Sequence, residues 1–395
     1  VEANQPVVVA ARRTPVGTAG RSLARLDVTG LAAPVLAALV EDVTALGLRG
    51  PEGSVAVDDV VLGNCCGPGG DVARVAALAA GLGTGVPGVT VDRQCGSGLE
   101  AVRLGAQAVA AGEGTLVLAG GVESASTMPW RLARPAGPTQ PPRAYTRAPF
   151  APPGFADPEM GAAADALAAA TGVDRPRQDA YAVRSHDRAL AARARGVFDA
   201  ETVPVGGVAA DERPRRVDAR VLARLRPAFT AGGTATAGNS CGINDGAAAV
   251  ALVPEAARAA AGVPGLRVLA AAVVGVDPAL PGIGPVPAVR AVLARAGRRL
   301  DEVAVLEVTE AFAGQVLACT DALGLDPFGA DAERVCPDGG AIALGHPWGA
   351  SGALLVVRLF ARLVRDPAAR AGDLGIATCA VGGGQGIAVL VERVG

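Results

Sequence analysis

Apolar residues in this chain follow two alternating rhythms. Short, nearly continuous apolar runs at residues 6–11, 57–62, 89–91 and 116–119 predict buried strands. Between them, residues 29–46, 72–82 and a stretch from about Gly96 space their apolar positions three and four apart, which predicts helices. Strand and helix alternate, so the expected fold class is α/β, a sheet covered on both faces. The strand at 116–119 is expected to stop at the glycine pair of Gly120-Gly-Val-Glu-Ser124.

The pattern then breaks. Residues 129–158 are rich in proline, arginine and aromatic side chains and have no clean period, so they read as a functional excursion rather than a connection. Helices are expected at 161–170 and 176–195. A basic segment, Asp211-Glu-Arg-Pro-Arg-Arg216, precedes Leu225-Arg-Pro-Ala-Phe229. Taken alone, those arginines read as a solvated surface. Residues 236–249 close the excursion and lead into a buried helix or strand. From residue 268 the strand–helix rhythm restarts, with a strand to 276, a turn at Gly282-Ile-Gly-Pro-Val-Pro287, a helix through 293 and a strand at 303–308.

A short internal likeness links the two parts. Ser97-Gly-Leu-Glu-Ala-Val-Arg-Leu104 and Ser351-Gly-Ala-Leu-Leu-Val-Val-Arg-Leu359 both open helices that lead to strands ending in glycine clusters. If the halves are related, Cys95 and His346 lie at equivalent helix starts and face one pocket.

Composition narrows the picture. The chain is half apolar but only 3% aromatic, with 54 glycines, which suits close-packed layers built from Ala, Val and Leu. A net charge of −2 gives no sign of a nucleic-acid or membrane-surface partner. The 36 basic residues are all arginine, so a phosphate must be met by guanidinium or backbone N–H groups. Seven cysteines without C-x-x-C spacing fit neither a disulfide framework nor a metal site, and a reducing cytoplasm is expected. The first residues carry no signal-peptide pattern. The uncharged runs 339–357 and 374–391 are broken by glycine and read as core rather than membrane spans.

Candidate chemistry concentrates at two loops. Cys95 sits where a strand becomes a helix, and unpaired N–H groups there would favour a thiolate. The competing reading is a small cysteine in a glycine-rich turn. His346, one of only two histidines, is held between glycine and proline in Gly339-Gly-Ala-Ile-Ala-Leu-Gly-His-Pro-Trp-Gly-Ala-Ser351, in a setting comparable to that of Cys95.

With these motifs, the sequence resembles the thiolase family of acyl-CoA C-acyltransferases from end to end. The match runs through Val91-Asp-Arg-Gln-Cys-Gly-Ser-Gly98, Gly120-Gly-Val-Glu-Ser124, Gln178-Asp-Ala-Tyr-Ala182, Gly242-Ile-Asn-Asp-Gly246, Gly284-Pro-Val-Pro287, Glu310-Ala-Phe-Ala313 and Gly382-Gly-Gly-Gln-Gly386. The resemblance implies the thiolase fold: two fused βαβαβαββ halves in a five-layered αβαβα arrangement with an inserted loop domain. The expected division is 1–256 for the first half, with the loop domain at about 122–242, and 263–395 for the second. It also implies a homodimer or homotetramer and a coenzyme A thioester as substrate, with no covalently bound cofactor and no metal. Cys95 would carry the acyl group, His346 would activate the thiol, and the main chain of Cys95 and Gly382 would stabilise the oxyanion. CoA would be met by Arg213, Arg215, Arg216, Phe229, Cys241, Met160 and Phe312.

The chain departs from the family's pattern at four places. Thr309 replaces the Asn of Asn-Glu-Ala-Phe, which serves the substrate oxyanion hole. Ala380 stands where the family has its second cysteine, and Cys379 lies one residue earlier, which on a strand points it to the opposite face. Cys241 replaces a serine, and Glu159 stands before Met160 where biosynthetic members often have histidine. The losses at 309 and 380 suggest a specialised member, able to load an acyl group but altered in the carbon–carbon step. Alternatives are acyl transfer to a heteroatom acceptor, decarboxylative condensation, hydrolysis, or a non-catalytic acyl-CoA-binding scaffold.

Overall fold

A computed structural model describes residues 2–48 and 56–395. In chain order the elements are β1 (Pro6–Arg13), β2 (Gly17–Thr18), α1 (Val28–Ala45), β3 (Asp59–Gly63), α2 (Val72–Ala79), β4 (Gly88–Val91), α3 (Ser97–Ala111) and β5 (Val117–Ser124). The excursion follows as a small hairpin, β6 (Arg131–Ala133) with β7 (Arg143–Tyr145), then α4 (Met160–Thr171), α5 (Arg175–Ala194) and α6 (Ala219–Leu222). Next come β8 (Asn244–Pro254), α7 (Glu255–Ala261), β9 (Gly265–Gly275), α8 (Pro285–Ala296) and β10 (Val303–Val308). The chain ends with α9 (Ala313–Leu323), α10 (Ala341–Leu344), α11 (Trp348–Phe360), β11 (Leu374–Val381) and β12 (Gln385–Val394).

The main strands run in the order β10-β11-β12-β9-β1-β8-β5-β3-β4. The two halves of that order meet at β1 and β9, which pair over only two positions, Val7 with Arg267 and Val8 with Leu266. Side-chain alternation along each strand divides the core into three apolar layers. On β8, Ala247, Ala249, Ala251 and Val253 pack towards α1 and α2, while Ala248, Val250 and Leu252 pack towards α3 and α11. On β11, Ala377, Cys379 and Val381 also face α3 and α11, whereas Leu374 and Ile376 face α8 and α9. Helices outside, between and outside two sheet halves make the five layers of the thiolase fold.

The two uncharged runs are core, as expected: residues 348–360 form the central helix α11 and 374–391 most of the β11–β12 pair. Among the described residues, α1 is the one helix long and apolar enough to cross a membrane; Leu31, Val35, Leu36, Leu39 and Val43 on it are buried against the sheet. Residues 244–254 are strand rather than helix. One expectation is corrected outright: β5 does not stop at Gly120 but continues in register with β8 to Ser124. Its glycines are packing positions, since a Cβ on Gly121 would lie 1.9 Å from the carbonyl oxygen of Gly349, at the start of α11.

Candidate active site

Two turns, one from each half, carry the reactive side chains. The first joins β4 to α3. Gln94 is held at φ +47°, a left-handed conformation unfavourable for a side chain other than glycine. The Ser97 hydroxyl fixes the turn, donating to the Gln94 carbonyl at 2.6 Å and accepting from the Arg93 N–H at 2.8 Å. Cys95 follows Gln94 directly.

The second turn joins α10 to α11. Asn244 Oδ1 accepts from the His346 N–H at 2.9 Å, and buried Glu123 accepts from the Gly349 N–H at 3.0 Å. Both braces come from strands of the first half, so the first half positions the second half's histidine. The His346 ring is fixed in turn by Ser351, whose Oγ lies 2.6 Å from Nδ1. The same hydroxyl donates to the Pro347 carbonyl at 2.8 Å. It has one proton, and a carbonyl can only accept, so the Ser351 oxygen accepts from Nδ1–H. The network thereby assigns the ring proton to Nδ1 and leaves a lone pair on Nε2. Nε2 is buried and has no hydrogen-bond partner among the described residues. Burial pushes the ring's pKa down to about 4, so it rests as a neutral base.

Cys95 and His346 line one cavity of about 110 Å³, together with Met160, Cys241, Phe312, Gln315, Trp348, Ala380 and Gly382. A thiol beside an imidazole with a free lone pair can give up its proton and attack a carbonyl carbon. The expectation that unpaired N–H groups at the helix start would favour a thiolate is corrected for the resting site. Cys95 precedes Gly96, the cap residue of α3, and burial raises its pKa well above the ordinary thiol value, with Cys379 and Cys241 adding to the effect. Cys95 therefore rests protonated and depends on a base.

The chain is similar to known proteins over nearly its whole length. The family description "Thiolase, N-terminal domain" matches residues 6–256, and "Thiolase, C-terminal domain" matches 264–393. An acetyl-CoA acetyltransferase of Pseudomonas aeruginosa is 41% identical, over 98% of this chain and 99% of its own length. A beta-ketoadipyl-CoA thiolase of the same organism is 42% identical over 97% of each. The crystal structure of the Bacillus anthracis acetyl-CoA acetyltransferase superposes with a TM-score of 0.89 at 36% identity, covering 99% of both chains. The chain belongs to the thiolase family. It is accordingly an acyltransferase acting on acyl-CoA.

Other positions expected to matter in this thiolase are distributed unevenly around the cavity. Met160, Cys241, Phe312 and Gly382 line it. Phe229 stands outside, edge-on to Phe312 with ring centroids 5.6 Å apart. Arg213 is half-buried and close enough to Cys241 to oppose the burial that pushes its thiol up to about 12. Arg215 and Arg216 are exposed. Glu159 is exposed and paired with Arg147 at 3.3 Å, so it does not enter the cavity.

Thr309 is buried but does not line this cavity. It lines a smaller neighbouring one, and its Oγ1 has no partner in hydrogen-bond geometry among the described residues, although it is near enough to Cys379 to ease that thiol's ionisation. Cys379 corrects the register argument in part. It does point away from the face of Ala380, which lines the cavity, but its own face is the one towards Cys95. Its sulfur lies 3.3 Å from the Cys95 carbonyl oxygen and 3.0 Å from that of Ala380.

Sequence reasoning assigned no role to Ser351, Asn244, Trp348 or Phe150. Ser351 had a usable signal, five residues after His346 at a helix start. Phe150 had none: it reaches from the excursion onto the Gly382 turn, where a Cβ on Gly382 would lie 2.8 Å from its ring.

Proposed function

We propose that this thiolase loads a short, uncharged acyl group from coenzyme A onto Cys95, and that it is a specialised member of its family. His346 Nε2 takes the S–H proton, the sulfur attacks the thioester carbonyl, and the N–H groups of Cys95 and Gly382 stabilise the oxyanion. As the intermediate collapses, the C–S bond to coenzyme A breaks and His346 returns its proton to the departing thiol. The observation that carries this reading is that Cys95 and His346 line the same cavity, with the buried Nε2 of His346 left without a hydrogen-bond partner among the described residues.

The cavity walls support the choice of acyl group. They are almost wholly apolar, and none of the lining residues is an arginine that could meet the distal carboxylate of a dicarboxylic acyl chain. Coenzyme A would approach past Phe229, with its phosphates near Arg213, Arg215 and Arg216. In this division of labour, the 1–256 half supplies the nucleophile, the 263–395 half the base, and the loop domain at about 122–242 the coenzyme A surface. The chain would act as a homodimer or homotetramer in a reducing cytoplasm.

Specialisation rests on Ala380 and Cys379. A Claisen step needs an acid/base open to the substrate's α-carbon, and the lining residue here is Ala380 while the Cys379 sulfur faces main-chain carbonyls. Loading does not need that group. The test is incubation with acetyl-CoA followed by peptide mass spectrometry: an added acetyl on the Cys95 peptide is expected, and Cys95→Ala should lose it while keeping its melting temperature. Undiminished acyl transfer by Cys95→Ala would overturn the mechanism.

A further inference from the structure

Ser351, the partner of His346, also lines a second cavity of about 30 Å³. Its other walls include Glu307 near the end of β10, Thr309 just beyond it, Arg358 from α11 and Arg13 from β1, all buried. Three buried polar atoms on these residues have no hydrogen-bond partner among the described residues: Glu307 Oε1, Thr309 Oγ1 and Arg358 Nε. Buried polar groups are nearly always satisfied, by protein or by ordered water. One water needs roughly 10–15 Å³ and two or more polar partners, and this cavity offers both.

We propose that Glu307 is a positioning residue for His346, joined to it by a water in this cavity that bridges the Glu307 carboxyl and the Ser351 hydroxyl. The chain of contacts is Glu307, water, Ser351 Oγ, His346 Nδ1. It rests on the reading of His346 as the base. When His346 accepts the Cys95 proton, an S–H bond breaks and an Nε2–H bond forms. No proton passes to Glu307, whose contribution is electrostatic and orientational.

The charge state of Glu307 sets the strength of that contribution. Burial raises its pKa to about 8; Arg358 and Arg362 oppose the rise, while Asp338 and Glu310 add to it. Cys336 also faces it, from the turn before Asp338. The cations nearby are committed elsewhere: Arg358 to Glu201 and Asp338, Arg13 to Glu201 and Asp211, and Arg362 to Asp366 at 3.5 Å. Glu307 is thus neutral at pH 7 and ionises just above it. A carboxylate at that position favours the imidazolium, so His346 becomes the stronger base as pH rises through about 8.

The test reads the ring directly. The chain has two histidines, so ¹⁵N-histidine labelling gives few signals, and His186→Gln assigns those of His346. In a Cys95→Ala background, which removes the neighbouring thiol, the His346 ring nitrogens should shift with a midpoint near pH 8, far above the ring's own titration. Glu307→Gln should abolish that step, and Glu307→Asp should keep a step with a moved midpoint. The proposal is overturned by no step between about pH 6.5 and 9.5, or by a step that survives unchanged in Glu307→Gln. Should the Gln variant not fold, an unmoved midpoint in Glu307→Asp overturns it equally. Because the protein measured lacks Cys95, this outcome is independent of the acyl-labelling result.

Discussion

The sulfur of Cys379 points at the main chain of Cys95, 3.3 Å from its carbonyl oxygen, while Ala380 beside it borders the cavity. A thiol in that place supports the nucleophile's turn rather than the substrate's α-carbon. Thiolysis of acetoacetyl-CoA should therefore be slow relative to acyl loading. Moving the thiol with Cys379→Ala and Ala380→Cys should raise thiolysis, by up to roughly a hundred- to ten-thousand-fold if general acid–base catalysis is all that is missing. Steady-state thiolysis rates of the two proteins decide the matter. Brisk thiolysis in the unsubstituted protein that disappears in Cys379→Ala would show that the sulfur reaches substrate.

Ser351 determines which nitrogen of His346 carries the proton. Ser351→Ala removes the acceptor for Nδ1–H and frees the ring to turn and change tautomer. The rate of Cys95 acetylation should fall about a hundredfold, with little change in the acetyl-CoA concentration at half-saturation. Rapid-quench measurement of acyl-enzyme formation separates the two parameters. A fall in affinity alone would assign Ser351 to binding.

Trp348 occupies the wall of the acyl cavity beside His346. Trp348→Leu enlarges the space without introducing charge. The ratio of hexanoyl to acetyl loading should rise roughly tenfold, the scale on which apolar pockets discriminate chain length. Competition between the two acyl-CoAs, read by mass spectrometry, gives that ratio. An unchanged ratio would place the limit on chain length elsewhere.

His186 supplies a pH prediction away from the cavity. Burial, assisted by Arg215 and Arg213, lowers its pKa from the ordinary 6.5 to about 4. Below pH 6.5 the unfolded chain binds a proton there and the folded chain does not, so acid favours unfolding. The stability involved is present above 6.5 and lost as pH falls towards 4, with a slope of at most about 1.4 kcal/mol per pH unit. Melting curves of the unsubstituted protein and His186→Gln should diverge over that window, the former losing more. Parallel curves would mean that His186 protonates freely in the folded state.

The strand–helix alternation was readable because each element buries apolar side chains with its own period; Cys95 was readable from its place where a strand becomes a helix, His346 from a comparable loop, and Gly382 only through the family resemblance. The end of β5 was not: a glycine pair is the ordinary sign of a turn, and here it makes room for the start of α11. Parity along β11 separates Cys379 from Ala380 but does not say which face meets Cys95, since that depends on a turn 284 residues away in sequence. The thiol's raised pKa was hidden for a similar reason. A helix start is visible in sequence, whereas the walls that remove water from the sulfur come from other parts of the chain.

The two helices that follow Cys95 and His346 meet backbone to backbone. A Cβ on Gly98 would lie 2.8 Å from the Gly349 carbonyl oxygen, and one on Gly352 would lie 2.3 Å from the Leu99 nitrogen. At these two glycines the spacing between the helices that follow nucleophile and base is set by main-chain contact. A side chain added at Gly98 or Gly352 would push the two helices apart and with them the turns that carry Cys95 and His346. The excursion that bears Phe150, Met160 and Phe229 reaches the cavity from outside that seam, so a substitution there can reshape the walls while the main-chain contact between the two helices stays as it is.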